Sequence, residues 1–122
     1  MNNYNAGAKK RWSGTAAHRE YEIKTAGYAP DTWQRVNQGL DEVLARFAGC
    51  MQSGHAADSP AAQALANELQ DYITAHYYTC TDEILAGLGR MYVADKRFRA
   101  NMDSHGAGTA AFISSAIESY CK

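Results

Sequence analysis

Branched aliphatic side chains, which form most of a protein core, are nearly absent from the first third of this chain. Residues 1–35 contain one of them, Ile23, and residues 36–122 contain the other 13. The first 35 residues are instead rich in aromatic rings, which are Tyr4, Trp12, Tyr21, Tyr28 and Trp33. Because buried apolar surface must offset the chain entropy lost on folding, we expect residues 36–122 to fold around their own core. The first 35 residues lack the side chains to do so.

The charged residues divide the chain at the same place. Residues 1–35 carry six basic and three acidic side chains, a net charge of +3, and residues 36–122 carry six and ten, a net charge of −4. The whole chain has a net charge of −1 and an isoelectric point near 6.4. This balance argues against nucleic-acid binding through bulk charge. The opposite charges would favour closure of the N-terminal third on the body at low salt.

Targeting and redox signals indicate a cytoplasmic protein without membrane contact. No apolar run approaches the roughly 18 residues of a membrane span, and residues 1–5 lack the basic-then-apolar pattern of a signal peptide. Three cysteines, separated by 30 and 41 residues, fit neither a disulfide framework nor a zinc motif. We therefore expect reduced thiols.

Motifs for metal, cofactor or nucleotide chemistry are missing from the sequence. The four histidines are scattered, and only His76 lies four residues from a cysteine, Cys80. A single Cys–His pair does not fill a zinc site. There is no G-x-S-x-G, P-loop or dinucleotide fingerprint. We expect no metal, no cofactor and no enzyme activity.

Capping residues and apolar side chains at spacings of three and four predict one all-α domain. No alternation typical of strands competes with this pattern. The expected helices run from a cap at Thr15 to Thr25, from Asp31 to Met51, from Ser59 to His76, from Thr81 to Tyr92, from Asp95 to Met102, and from Phe112 to Tyr120.

The helix after Thr81 contains two glycines, Gly87 and Gly89, which lower helix stability. They are expected to permit close packing, with the alternative that they leave room for a ligand. The predicted apolar face of this helix consists of Ile84, Leu88, Met91 and Tyr92.

Cys80 is the strongest candidate for a chemically reactive residue. It directly precedes the cap at Thr81, where unpaired backbone N–H groups favour a thiolate, and His76 lies one turn back as a conceivable base. Asp82 and Glu83 oppose deprotonation. An inert packed cysteine and a reactive one both remain open on this pattern.

The rings of the N-terminal third also allow several interpretations. Tyrosine and tryptophan combine a large apolar body with a polar tip, which suits a segment that covers a large, partly polar ligand. An amphipathic arm packed on the core, or a dimer contact, explains the same composition.

Several motifs in order over the chain resemble one family. They are Arg11-Trp12 followed by Thr15, then Trp33, Asp58-Ser59, the run from Gly87 to Phe98, and Ala111-Phe112 through Tyr120. The chain resembles the TipAS-type antibiotic-recognition domain, the effector-binding half of certain MerR-family transcriptional activators.

The resemblance implies a globin-like helical domain without haem that binds large modified peptide antibiotics such as thiopeptides. It implies a lid of N-terminal helices (residues 1–28) that is loose without ligand and closes over a core (residues 29–122). It further implies that a cysteine adds covalently to a dehydroalanine of the drug, and Cys80 is matched to that position.

Departures from the family pattern concern the ligand and the architecture. His18 stands where a tyrosine is expected, and Ser13-Gly14 replaces a glycine and an acidic residue. The MerR winged helix and dimerising coiled coil are missing from the sequence, so we expect no direct DNA contact, a monomeric chain and a dimer only in a full-length regulator.

Our primary hypothesis is an effector domain that binds a bulky peptide-like antibiotic, with Cys80 as an optional covalent anchor. A free-standing protein that sequesters the drug is the alternative, followed by a Cys80-dependent enzyme acting on an electrophile. The expected ligand contacts are Trp12, Tyr21, Trp33, Phe47, His76, Tyr77 and Tyr78, with Met91 and Tyr92 as floor or packing.

Overall fold

The computed structural model describes the backbone from Ala16 to Lys122 and side chains from Arg19 onward. Its helices are α1 (Ala16–Thr25), α2 (Pro30–Gln52), α3 (Pro60–His76), α4 (Asp82–Ala94), α5 (Lys96–Asp103) and α6 (Thr109–Tyr120). All six match the predicted helices, and these described residues contain no strand. The all-α class is confirmed. The expected cap at Thr15 lies outside the described residues.

Three of the predicted caps form as expected. Ser59 Oγ accepts a hydrogen bond from the Ala62 backbone N–H at 3.2 Å, and Thr81 Oγ1 accepts one from Ile84 at 3.2 Å. The Asp95 carboxylate accepts from the N–H of Arg97 at 2.9 Å. Each side chain satisfies a helix-terminal donor that has no carbonyl partner within its helix.

The start of α2 differs from the prediction. The helix begins at Pro30, and its cap is Ala29, whose side chain makes no capping hydrogen bond. Asp31 lies in the first turn, where its carboxylate accepts from the Thr32 N–H at 3.0 Å. Proline already has the φ angle of a helix and lacks the N–H that a cap would satisfy, so the helix starts ahead of the acidic residue.

The core lies between α2, α3, α4 and α6, and α6 packs against each of the other three. Its largest fully buried apolar side chains all come from residues beyond 35, as predicted, and are Val43, Phe47, Leu69, Leu85, Ile113 and Ile117. Ile23, the lone branched aliphatic of the first third, is 79% exposed. The described part of the chain therefore has one core, and no branched aliphatic side chain of α1 is buried in it.

The buried face of α4 is rotated from the predicted one. Leu85 and Gly89 are buried with Met91 and Tyr92, whereas Ile84 and Leu88 are only half-buried. A Cβ atom on Gly89 would lie 3.1 Å from Ile117 Cγ2 on α6. The close approach of α4 to α6 thus leaves little room for a side chain at Gly89, which supports the predicted packing role of this glycine.

Two loop glycines and the lengths of the helices are the remaining features of the fold. Gly54 and Gly108 have φ angles of +89° and +87°, which favour glycine, and they end α2 and precede α6. Among the described residues, no helix combines the length and apolarity that a bilayer span requires.

Candidate functional site

Four rings from four segments meet at one end of the core, and we call them the aromatic cluster: Tyr21, Tyr28, Trp33 and Tyr77. Tyr28 meets Trp33 edge-on with centroids 5.2 Å apart, and Tyr21 lies nearly parallel to Tyr77 at 6.5 Å. Trp33 is 6.3 Å from Tyr21 and 6.4 Å from Tyr77. Such pairs contribute beyond their buried area. Aromatic rings therefore provide the apolar contact between α1 and the body.

The body supplies the buried side of this cluster. Tyr77 is buried at the C-terminal end of α3, and its hydroxyl donates to Asn37 Oδ1 at 3.2 Å. Burial raises the pKa of the Tyr77 hydroxyl far above its ordinary value, and it raises the pKa of Tyr21 as well. Both phenols are therefore neutral hydrogen-bond donors at physiological pH.

Polar contacts join α1 and its following turn to the end of α3, and we call them the latch: Glu20, Lys24 and Tyr28. Lys24 Nζ donates to the Thr74 carbonyl at 2.8 Å, and the Tyr28 hydroxyl donates to the His76 carbonyl at 2.6 Å. Both acceptors are in the last turn of α3, where carbonyls lack partners within the helix. The latch thus completes the C-terminal cap of α3.

Glu20 extends the latch to the segment after α3. Its carboxylate accepts from the Thr79 N–H and from the Thr79 hydroxyl, each at 2.8 Å. The backbone hydrogen bond from Thr79, followed by the one from its hydroxyl, lowers the pKa of Glu20 below its ordinary value. Glu20 is therefore ionised at neutral pH and holds the residues between Tyr77 and Cys80 against α1.

A cleft opens beside the aromatic cluster, between the first turns of α2 and the last turns of α3. It has a volume of about 380 Å³ and is lined by Tyr28, Thr32, Arg35, Val36, Tyr72 and His76. The Tyr72 hydroxyl donates to the Val36 carbonyl at 2.7 Å, and its ring lies 4.3 Å from the His76 imidazole. These contacts fix the cleft wall.

Cys80 does not have the environment that its sequence position suggested. Its side chain is 4% exposed, and burial, followed by the nearby Cys121 and Asp82, raises its pKa to about 12. Of the two interpretations that the sequence left open, this environment favours the inert, packed cysteine, because the thiol is desolvated and lies near other groups that would oppose its charge. The Ile84 backbone N–H at the start of α4 already donates its hydrogen bond to the Thr81 hydroxyl.

A hydrogen-bond network around Gln70 holds Cys80 in place. Gln70 Nε2 donates to the Cys80 carbonyl at 2.9 Å and to Asp82 Oδ1 at 2.8 Å. The Tyr120 hydroxyl donates to Gln70 Oε1 at 3.0 Å. This network ties the Cys80 segment to α3, α4 and α6, and it restrains any exposure of the thiol.

The other predicted contacts fall in three places. Tyr21, Trp33 and Tyr77 meet in the aromatic cluster, His76 lines the cleft, and Tyr78 is half-buried beside them. Three more predicted contacts are buried in the core, and these are Phe47, Met91 and Tyr92. Trp12 lies outside the described residues. Contact of any of these with a ligand stays a prediction, and in this structure the Phe47 ring has no exposed surface to offer.

Sequence reasoning missed most of the cleft and the latch. Thr32, Arg35 and Val36 follow one face of α2 at spacings of three and one, and Tyr72 and His76 share a face of α3 at a spacing of four. That periodicity was available, but nothing in the sequence states that these two faces meet. Residues 19–122 contain no group of acidic, histidine and cysteine side chains that would hold a metal ion.

Comparison with known protein families identifies the family of this chain. Residues 4–120 match the model of the TipAS antibiotic-recognition domain. The chain belongs to the TipAS family.

Curated relatives of this TipAS domain are transcriptional activators. It is 38% identical over 114 residues to the HTH-type transcriptional activator TipA of Streptomyces coelicolor, which covers 93% of the chain and 45% of the activator. It is 34% identical over 108 residues to the HTH-type transcriptional activator mta of Bacillus subtilis, covering 88% of the chain and 41% of the activator. The chain thus spans less than half the length of these relatives.

Solved structures of the family share the fold. TipAS from Streptomyces lividans in complex with nosiheptide has a TM-score of 0.84 and 36% identity, covering 98% of this chain and 84% of that one. The antibiotic-binding domain of a TipA-class multidrug resistance transcriptional regulator has a TM-score of 0.66 and 37% identity, covering 73% and 95%.

Proposed function

We propose that this TipAS domain binds thiopeptide antibiotics between α1 and the body, and that it acts as the effector domain of a drug-responsive transcriptional activator. The aromatic cluster carries this proposal. Its rings come from α1, from the turn after it, from α2 and from the end of α3, so a ligand that separates or replaces some of these contacts changes the position of α1.

The composition of the contact suits a large, flat, partly polar ligand. Tyr21 and Trp33 are half-buried and offer ring faces with polar tips, which bind apolar surface at low entropic cost. The nosiheptide complex of the Streptomyces lividans relative supports the same ligand class here. In this proposal α1 is the lid, and its latch to α3 defines the closed state.

Binding in this proposal is non-covalent. The Cys80 thiol is buried and protonated, and it lacks the exposure and thiolate character that addition to a dehydroalanine requires. The same observation weighs against a Cys80-dependent enzyme. Membership of a family of ligand-binding regulatory domains supports recognition without turnover.

Calorimetric titration with nosiheptide tests the ligand class, with a cyclic peptide of similar mass that lacks thiazoles as the control ligand. Tyr21→Ala removes one ring of the cluster and should weaken binding by about 10- to 100-fold. Ile23→Ala is the matched variant on the same helix, where the side chain is 79% exposed, and should change affinity by less than about twofold.

Two results would overturn the proposal. One is the absence of nosiheptide binding at about 100 μM, since specific recognition of so large a ligand should be much tighter. The other is equal weakening by Tyr21→Ala and Ile23→Ala, which would mean that α1 does not bind the ligand through the aromatic cluster. A separate observation distinguishes a regulator from a free-standing sequestering protein, namely the residues encoded before Met1 in the gene.

A further inference from the structure

Two of the three cysteines lie at the start of α4, although 41 residues separate them in the sequence. The Cys80 thiol donates a hydrogen bond to the Thr81 carbonyl at 3.9 Å, and the Cys121 thiol donates one to the next carbonyl, that of Asp82, at 3.5 Å. The two sulfur atoms therefore lie beside consecutive peptide groups of one helical turn.

One hydrogen-bond network holds the backbone around both cysteines. Gln70 Nε2 donates to the Cys80 carbonyl at 2.9 Å and to Asp82 Oδ1 at 2.8 Å. Tyr120, which directly precedes Cys121, donates its hydroxyl hydrogen bond to Gln70 Oε1 at 3.0 Å. The fold therefore brings the end of α6 and the residues ahead of α4 to the same side chain of α3.

The electrostatics of the two thiols also indicate that they are close. Burial, followed by the nearby Cys121, raises the pKa of Cys80 to about 12. Burial, followed by Asp82, raises the pKa of Cys121, whereas burial alone raises that of Cys50. Because the interaction between charges weakens with distance, the effect of Cys121 on Cys80 requires proximity. A disulfide carries no charge, so the burial that opposes both thiolates does not oppose a bond between them.

The two thiols differ in their exposure to solvent. Cys80 is buried, and Cys121 is half-buried at the end of α6. An external reagent therefore meets Cys121 first, and Cys121 is the thiol through which oxidation can reach Cys80.

We propose that Cys80 and Cys121 form a redox-active dithiol, which a low-molecular-weight disulfide such as oxidised glutathione converts into an internal disulfide. The bond joins the end of α6 to the residues ahead of α4. It consumes the Cys80 thiol, so the oxidised protein has no thiol at this position to react with an electrophile. The adjacent Thr79 is the partner of Glu20 in the latch, so the bond also restrains the body side of the latch.

The reaction consists of two thiol–disulfide exchanges. The Cys121 thiolate attacks one sulfur of oxidised glutathione, which breaks that S–S bond and releases one glutathione thiolate. Cys80 then loses its proton, and its sulfur attacks Cys121 Sγ, so that the second glutathione leaves as a thiolate. The two protons lost by the protein thiols are taken up by the two glutathione thiolates. Two protein thiols are thereby oxidised, and one oxidised glutathione is reduced to two glutathione molecules.

Incubation of the full chain with oxidised glutathione at about pH 8.5, where more of each thiol is ionised, tests the proposal. We expect a monomer that has lost two hydrogen atoms by intact mass, and a peptide that joins Cys80 to Cys121. A disulfide that fits the native geometry stabilises the fold, so the oxidised chain should unfold at a temperature higher by roughly 5–15 °C.

Three variants assign the role of each thiol. Cys80→Ser removes the second nucleophile, so the mixed disulfide of Cys121 with glutathione should accumulate. Cys121→Ser changes a half-buried side chain and leaves the core intact, and it should form neither the mixed nor the internal disulfide. Cys50→Ala is the matched control on α2, and it should form the internal disulfide at a rate within about twofold of the unmodified chain.

Several outcomes would overturn the dithiol. They are a mixed disulfide at Cys121 that persists in the unmodified chain, a dimer joined through Cys121, or an internal disulfide that includes Cys50. An internal disulfide that leaves the unfolding temperature unchanged or lowers it would also overturn the proposal, because the native fold would then not hold the two thiols in place. No antibiotic takes part in the experiment, so these outcomes leave the proposed function standing.

Discussion

The Tyr28 hydroxyl donates a 2.6 Å hydrogen bond to the backbone carbonyl of His76, across 48 residues of sequence. The same tyrosine packs its ring on Trp33 and lines the cleft. One side chain therefore belongs to the latch, the aromatic cluster and the cleft wall. Its hydroxyl and its ring perform separable tasks, and each can be removed by substitution.

Tyr28→Phe keeps the ring and removes only the hydrogen bond. We expect it to lower the free energy of unfolding by about 0.5–1.5 kcal/mol and to increase amide exchange in α1. Urea denaturation and hydrogen exchange measure these two effects. Ser104→Ala, which removes a hydroxyl bonded to the Asn101 carbonyl at the end of α5, should leave exchange in α1 unchanged; faster exchange in both variants would contradict a local role.

Acid should release α1 through Glu20. Its pKa is lowered in the folded protein by the Thr79 hydrogen bonds, so the stabilisation is present above its unfolded pKa and is lost as the pH falls from about 4.5 through the folded value. Amide exchange in α1, corrected for intrinsic rates, should rise over this range. Glu20→Gln should remove the pH dependence, and Glu118→Gln on α6 should keep it.

The two glycines of α4 should respond in opposite ways to alanine. Gly89→Ala places a methyl group 3.1 Å from Ile117 Cγ2 and should destabilise the fold by about 1–3 kcal/mol through overpacking. At Gly87 a Cβ would meet only Arg90 Nη2, at 3.8 Å, so Gly87→Ala should stabilise by about 0.5–1 kcal/mol. Thermal unfolding compares the two, and similar losses would contradict the assigned packing.

Alkylation should distinguish the cysteines. Cys121 is half-exposed, whereas Cys80 and Cys50 are buried, so iodoacetamide at pH 8 should modify Cys121 at least about tenfold faster than Cys80 in the native protein. Peptide mass spectrometry measures both rates. Cys80→Ser should retain nosiheptide affinity within about threefold, whereas a one-to-one adduct lost in Cys80→Ser would establish covalent trapping.

Local signals predicted the helices because caps and breakers act over a few residues. Ser59-Pro60, Thr81 and Asp95 each determine a helix start through hydrogen bonds to residues two or three positions away. The predicted cap at Asp31 was wrong because Pro30, which precedes it, already fixes the backbone in a helical conformation. The scarcity of aliphatics before residue 36 also predicted where the core would form.

The site depended on tertiary geometry that local pattern does not contain. In sequence, Cys80 is next to a helix start, which favours a thiolate, while Asp82 and Glu83 oppose one, so a reactive and an inert cysteine both remained open. Burial of the thiol, followed by the nearby Cys121 from 41 residues away, raises its pKa and favours the inert cysteine. The latch was invisible for the same reason, since the partners of Lys24 and Tyr28 are backbone carbonyls 50 and 48 residues away.

The latch has a consequence for the rate at which a ligand enters. Lys24 and Tyr28 donate to carbonyls at a helix end, and the Glu20–Thr79 contact is at the surface, so water can replace each of these partners when the latch opens. Departure of α1 then strands no polar group in an apolar interior, and the free energy needed is mainly that of separating rings. If α1 acts as the proposed lid, we therefore expect it to open and close rapidly without any unfolding of the core.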